Sequence, residues 1–168
     1  MTRWPFIAVA VAVVTTAPRS AMSQPERTNQ IGANLTHEFG VFMVSHTKVG
    51  AALSRLFGDR LHVGANASVG TGPDVVVHEE TVQAGLVLHP SARIDVLMAW
   101  RFGYTYFKLG TVSGDVGIHA LTFEPVFRFD YRIRSNIDVT FAPLVLSGFW
   151  SRAWGTNLAV ELGLAYNF

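Results

Sequence analysis

The sequence predicts an all-β fold, an eight-stranded antiparallel up-and-down transmembrane β-barrel preceded by a signal peptide. Three observations carry this. The 168-residue chain is 49% hydrophobic and only 15% charged, with a mean hydropathy of +0.29, yet its longest unbroken apolar run, residues 6–14, falls far short of the ~20 residues a spanning helix needs. From about residue 30 onward hydrophobicity alternates with a period of two, the mark of half-buried strands. The connections between these runs alternate between short and longer, the rhythm of a membrane barrel with turns at one end and loops at the other.

The same composition excludes several classes. Disorder requires low hydrophobicity and high charge, and the chain has neither. With no cysteine there is no disulfide scaffold, thiolate metal site or cysteine nucleophile. A net charge of +1 without any Lys/Arg run argues against a nucleic-acid partner.

Taken in order, residues 1–23 read as an export address. Arg3 supplies a positive start, residues 6–14 the apolar stretch, and Ala21-Met22-Ser23 the small residues that place cleavage before Gln24. Pro18 argues against a continuous helix there. Residues 24–168 are then the barrel domain. Loss of Arg3 and Arg19 turns the small positive charge slightly negative. Strand 1 is read at 35–44 and strand 2 at 49–57. Strand 3, at 61–70, sets Leu61, Val63, Ala65, Ala67 and Val69 against His62, Gly64, Asn66, Ser68 and Gly70. Strand 4 is read at 81–89. Strand 5, at 94–106, sets Met98, Trp100, Phe102 and Tyr104 against Leu97, Ala99, Arg101 and Gly103. Strand 6, at 121–133, opposes Phe123, Pro125, Phe127 and Phe129 to Thr122, Glu124, Arg128 and Asp130. Strand 7 covers 136–150. Strand 8, at 157–168, sets Leu158, Val160, Leu162, Leu164, Tyr166 and Phe168 against Glu161, Gly163 and Ala165. Residues 71–80 and 107–118 are read as long outer loops, and 58–60, 90–92 and 134–135 as short turns at the opposite end.

Alternation alone leaves sidedness open, since a soluble lipocalin-like barrel keeps its apolar face inside. Three features favour apolar-out. The apolar face is bulky and aromatic while the other is rich in Gly and Ala, which suit the crowded interior of eight strands. Lys48 and Lys108 fall in outer connections. Aromatics gather near strand ends, with Tyr104, Tyr106, Phe107, Phe149, Trp150 and Trp154 at one rim and Phe57, Phe129, Tyr131, Tyr166 and Phe168 at the other, as interfacial girdles do.

The signal segment, the eight-strand rhythm and the ending Leu162-Gly163-Leu164-Ala165-Tyr166-Asn167-Phe168 together resemble the small OmpA/OmpX-type outer-membrane barrels. The resemblance covers residues 24–168 as architecture. It implies a bacterial outer-membrane location, lipid and lipopolysaccharide as surroundings, and a monomer. It also implies that Leu164, Tyr166 and Phe168 form the signal read by the barrel-assembly machinery.

Six charged residues fall on the inner face: Glu38, Arg101, Glu124, Arg128, Asp130 and Glu161. They read as a lumenal ion-pair network plugging the barrel, because buried charges must be paired. His46, His78 and His119, with Glu79 and Glu80, read as a weak site at the outer mouth, without metal-ligand spacing. His37, His62 and His89 are placed near the inner rim. Arg55 falls on the apolar face as a snorkelling side chain. Pro125 and Pro143 fall mid-strand and are read as a bulge or kink, since proline removes a ladder hydrogen bond. The expected role is structural or interactive, with no cofactor and no enzyme activity. The alternatives are a lipid A acyltransferase- or deacylase-like barrel, whose Asp-Ser pair or His-x-Ser-Asn motif is absent here, and a soluble lipocalin-like barrel.

Overall fold

The computed structural model describes residues 29–40, 44–58, 60–89, 93–152 and 154–168. The expected signal segment lies outside them. Eight strands follow in chain order: β1 Asn29–Gly40, β2 His46–Phe57, β3 Leu61–Gly72, β4 Val75–Leu88, β5 Ile94–Thr111, β6 Gly114–Arg134, β7 Ile137–Trp150 and β8 Trp154–Asn167. Each pairs antiparallel with the next. β8 closes on β1 from Gln30 opposite Asn167 to Gly40 opposite Asn157, so the sheet has no free side edge there. The backbone of Phe168 also exchanges hydrogen bonds with that of Asn29, at 2.9 and 3.2 Å, and knots the ends together. Closure is the solution lipid demands, because hydrocarbon offers no partner to an open strand edge.

Sidedness follows from exposure. Trp100, Phe127 and Leu162 are 49%, 42% and 51% exposed, whereas Arg101 and Glu161 are 4% and 2% exposed. The apolar stripe therefore covers the outside and the charges fill the inside. That arrangement is stable in hydrocarbon and untenable in water, and it excludes the lipocalin-like alternative.

The longer loops expected at 71–80 and 107–118 are not loops. β3 and β4 run on to Gly72 opposite Val75, joined by Pro73-Asp74, with Asp74 in the left-handed region at φ 57°. β5 and β6 reach 18 and 21 residues and meet at Thr111 opposite Gly114. There Gly114, at φ 121°, takes a backbone that a side chain would strain. The reason the sequence hides these extensions is physical. Above the hydrocarbon neither face must be apolar, so period-two contrast fades while hydrogen-bonded pairing continues. Strand 1 also sits lower than expected, at Asn29–Gly40 instead of 35–44.

β7 contains the one departure from regular alternation. Ala142 points inward, Pro143 and Leu144 are both exposed, and Val145 points inward again. The register against β8 shifts between Ala142 and Val145, and against β6 between Phe127 and Phe129. The bulge expected at the prolines is thus present at Pro143, whereas Pro125 keeps regular alternation and pairs with Trp100 of β5. It reverses parity for the rest of β7, turning Ser147 and Phe149 inward and Trp150 outward. Phe107 and Phe149, expected in the girdle, are instead inner residues, buried against each other with ring centroids 5.0 Å apart.

Small inner residues let adjacent backbones coil tightly. A Cβ on Gly103 would stand 2.0 Å from the Glu80 carbonyl oxygen and 2.7 Å from Thr81 Cα. Gly103→Ala is expected to lower stability by about 1–3 kcal/mol, as overpacking does, read from the urea midpoint in lipid vesicles. An unchanged midpoint would show that the wall yields at this point.

Candidate functional site

The interior is layered. At the outer end Val75, Val77, Phe107, Ala120 and Phe149 form an apolar cap, with the His46 ring edge-on to Phe107 at 6.1 Å. The long β3–β4 and β5–β6 hairpins supply four of these side chains.

Beneath the cap lies a buried charge cluster. Lys48 Nζ stands 2.5 Å from Glu38 Oε1 and 2.9 Å from Glu79 Oε1. Asn157 Nδ2 donates to Glu38 Oε2 at 2.8 Å, and His46 Nε2 is 3.5 Å from the same oxygen. Thr105 donates to Glu79 Oε2 at 3.2 Å and touches Thr122 through a short hydroxyl contact. Arg101 grips Glu161 with two hydrogen bonds of 2.8 and 2.9 Å. It also donates to Gln83 at 3.1 Å and lies 3.6 Å from Glu124 Oε2. Ser147, turned inward by the bulge, donates to Glu124 Oε1 at 2.5 Å. One oxygen from each of Glu38, Glu79 and Glu124 lies within 4.8 Å of the other two. The Lys48 ammonium is in contact with two of the three carboxylates and neutralises part of their charge.

A second, lower group is separate. Arg128 makes a bidentate pair with Asp130 at 2.7 and 2.8 Å and reaches Gln30 at 3.4 Å. At the inner rim Asn167 donates to Asp138 at 2.7 Å, and Arg132 lies 3.4 Å from Asp95.

The structure therefore places all six expected lumenal residues inside, but in two groups: Glu38, Arg101, Glu124 and Glu161 above, and Arg128 with Asp130 below. The five residues read as one mouth site are divided by the wall. His46 and Glu79 are buried in the interior, while His78 and Glu80 pair on the outer face at 3.1 Å and His119 contacts the Tyr104 hydroxyl there. Adjacent residues of a strand point to opposite sides, so Glu79 cannot share a face with His78 and Glu80. Lys48, expected in an outer connection, is a lumenal residue of β2. His62 is buried with its Nδ1 accepting from Gln83 at 3.2 Å, and His89 sits with Asp95 at the inner rim, as expected of that end. His37 is instead near the outer end, opposite Thr47. Arg55 keeps the outward parity but does not snorkel as expected: it is only 6% exposed, its guanidinium 5.2 Å over the Phe57 ring. Leu164, Tyr166 and Phe168 line the outside of the inner rim, with the Tyr166 and Phe168 rings stacked. Lys108, on the β5–β6 extension, pairs with Asp115 at 2.6 Å, and that hydrogen-bonded carboxylate raises its pKa above the ordinary lysine range.

The signal for the missed residues was present. Lys48 and His46 share even parity with Gly50, Ala52 and Ser54, the small-residue face of β2. Extending strand 2 by three residues places both inside.

No protein-family model and no curated protein sequence matches the chain. Solved structures do. The chain is similar to the N-terminal β-barrel domain of Pseudomonas aeruginosa OprF, with 13% identity, a TM-score of 0.69, and cover of 86% of this chain and 100% of that one. It is similar to the neisserial surface protein NspA at 9% identity and TM-score 0.63, covering 83% and 96%. It is also similar to Ail, the attachment invasion locus protein of Yersinia pestis, at 11% identity and TM-score 0.55, covering 84% and 97%. At these identities the likeness is one of fold, that of small eight-stranded outer-membrane barrels.

Proposed function

We propose that the chain is an integral outer-membrane protein with a plugged interior, whose role is structural or interactive at the cell envelope. The observation that supports this is the inside-out wall: apolar side chains are exposed all round the barrel, while ion pairs and an apolar cluster are buried inside it. Eight strands leave room for side chains and not for a water column. Export by residues 1–23 and assembly through Leu164, Tyr166 and Phe168 belong to the same reading, as do a monomeric state and lipopolysaccharide as neighbour. Adhesion, envelope integrity and ligand binding are the roles open to such a barrel, and all of them would act through the projecting hairpins. This reading involves no catalysis.

Two measurements test it. Detergent-solubilised protein run unboiled and boiled on SDS gels is expected to migrate at two positions. In planar bilayers the folded protein is expected to give no steady ionic conductance. A single gel position with partition into water would remove the membrane reading; a steady conductance would remove the plug.

One observation favours a second reading, a lipid-modifying enzyme: His78 holds the Glu80 carboxylate at 3.1 Å on the lipid-facing wall. Among the described residues no serine hydrogen-bonds to this pair, which leaves it without that nucleophile. Lipid A from cells with and without the protein, compared by mass spectrometry, decides the matter; an unchanged acyl pattern removes the enzyme.

A further inference from the structure

The β6–β7 ladder ends at Leu121 opposite Trp150, while β6 continues upward. The chain bends away at Ser151 and Arg152, and this leaves a notch in the outer rim. A shallow groove occupies it, and besides Ala120 and Ser151 its lining is Tyr104, His119, Leu121, Trp150 and Arg152. All five belong to the outward surface. Tyr104, Leu121 and Trp150 form one row across three strands, with Tyr104 opposite Leu121 and Leu121 opposite Trp150. Below this row Gly148 lies opposite Phe123 and carries no side chain on the outer face, so the apolar wall is shallow there.

The charge in this groove is unbalanced. The lysine of the neighbouring hairpin has an acid: Lys108 holds Asp115 at 2.6 Å. Arg152 is exposed and, among the described residues, has no carboxylate within ion-pair distance. Beside it stand two hydrogen-bonding groups, the Tyr104 hydroxyl and the His119 ring, already in contact with each other. A guanidinium, a phenol and an imidazole at the aromatic belt, above a greasy recess, match one chemistry. That chemistry is an anionic phosphate carried on acyl chains, with the phosphate on Arg152 and the chains against Leu121, Phe123 and Trp150.

We propose that this notch is a binding site for the phosphate of a lipid headgroup. The proposal rests on the membrane reading above and adds to it a site and a ligand class. Arg152 supplies the bidentate contact, the Tyr104–His119 pair donates one further hydrogen bond, and Trp150 flanks the first carbons of the chain.

The test uses the folded full-length barrel in detergent, with native mass spectrometry counting retained lipid. The probes are bis-phosphorylated lipid A, the same lipid with both phosphates removed, and inorganic phosphate as competitor. The unmodified barrel is expected to retain the phosphorylated lipid at least about tenfold better than the dephosphorylated one, and Arg152→Gln to lose about that factor. Trp150→Ala is expected to weaken retention of both lipids. Lys108→Gln, which removes a paired cation on the β5–β6 extension, is expected to change nothing. Equal retention of the two lipids, or equal loss in Arg152→Gln and Lys108→Gln, overturns the site. Displacement by millimolar inorganic phosphate overturns the lipid as ligand and leaves a free-anion site. Each arm is read on protein that shifts on unboiled gels, so failure of the membrane reading registers separately, as absence of that shift.

Discussion

Replacing Arg101 by methionine is expected to cost about 3–5 kcal/mol, the range for breaking a buried ion pair from one side. Arg101 is 4% exposed and faces Glu161 through two hydrogen bonds and Glu124 at 3.6 Å. Without it Glu161 keeps only the Thr36 hydroxyl, at 3.3 Å. Of the cations in contact with Glu38, Glu79, Glu124 and Glu161, only Lys48 would then remain, with Arg128 acting on Glu161 from the lower group. The urea midpoint in lipid vesicles measures the loss. The double variant Arg101→Met with Glu161→Gln is expected to recover most of it, because removing both charges of a buried pair is far cheaper than orphaning one. A single variant that unfolds at the unmodified midpoint would mean that water reaches this layer and screens it.

The second large effect contrasts two single-residue deletions. Deleting Pro143 is expected to leave the barrel folded. Ala142 and Val145 both point inward with two exposed residues between them, so removing one restores strict alternation on both neighbouring ladders without turning any other side chain. Deleting Trp100 is expected to abolish the folded band. β5 has no bulge to absorb the loss, so everything beyond it changes side. Arg101 would then enter the lipid-facing position, at about 2–4 kcal/mol near the bilayer centre, and would leave Glu161 unpaired. Tyr104 and Tyr106 would crowd the interior, and Phe107 would leave the cap. The gel shift of unboiled samples reads both variants. Equal tolerance of the two deletions would show that strand register is not what holds the charges inside.

Much of this was legible in the residues. The run from Ile94 to Tyr106 names its own faces, because Trp100 and Phe102 alternate with Ala99, Arg101 and Gly103, and no partner strand is needed to see it. The same holds for Leu158 to Phe168. Strands 1 and 2 were harder. Their outward positions include Ala33, Ala51, His37 and Arg55, so the chemical contrast between faces is weak and the ends drift. The extended hairpins were not visible at all. The run Val75-Val76-Val77 has strand-forming residues on both faces, and only its pairing with β5 shows which valines enter the cap.

What the sequence determined by itself is the number of strands and which chemistry faces out. Both follow from a local rule: neighbouring side chains on an extended backbone point to opposite sides, and each side must suit its solvent. Which charges meet was decided only by the tertiary structure. Arg101 and Glu161 lie 60 positions apart, and Lys48 and Glu79 lie 31 apart. Their contact depends on the stagger with which eight strands close and on a bulge that adds one residue to β7. Stagger and closure belong to the whole ring, so no single strand encodes them.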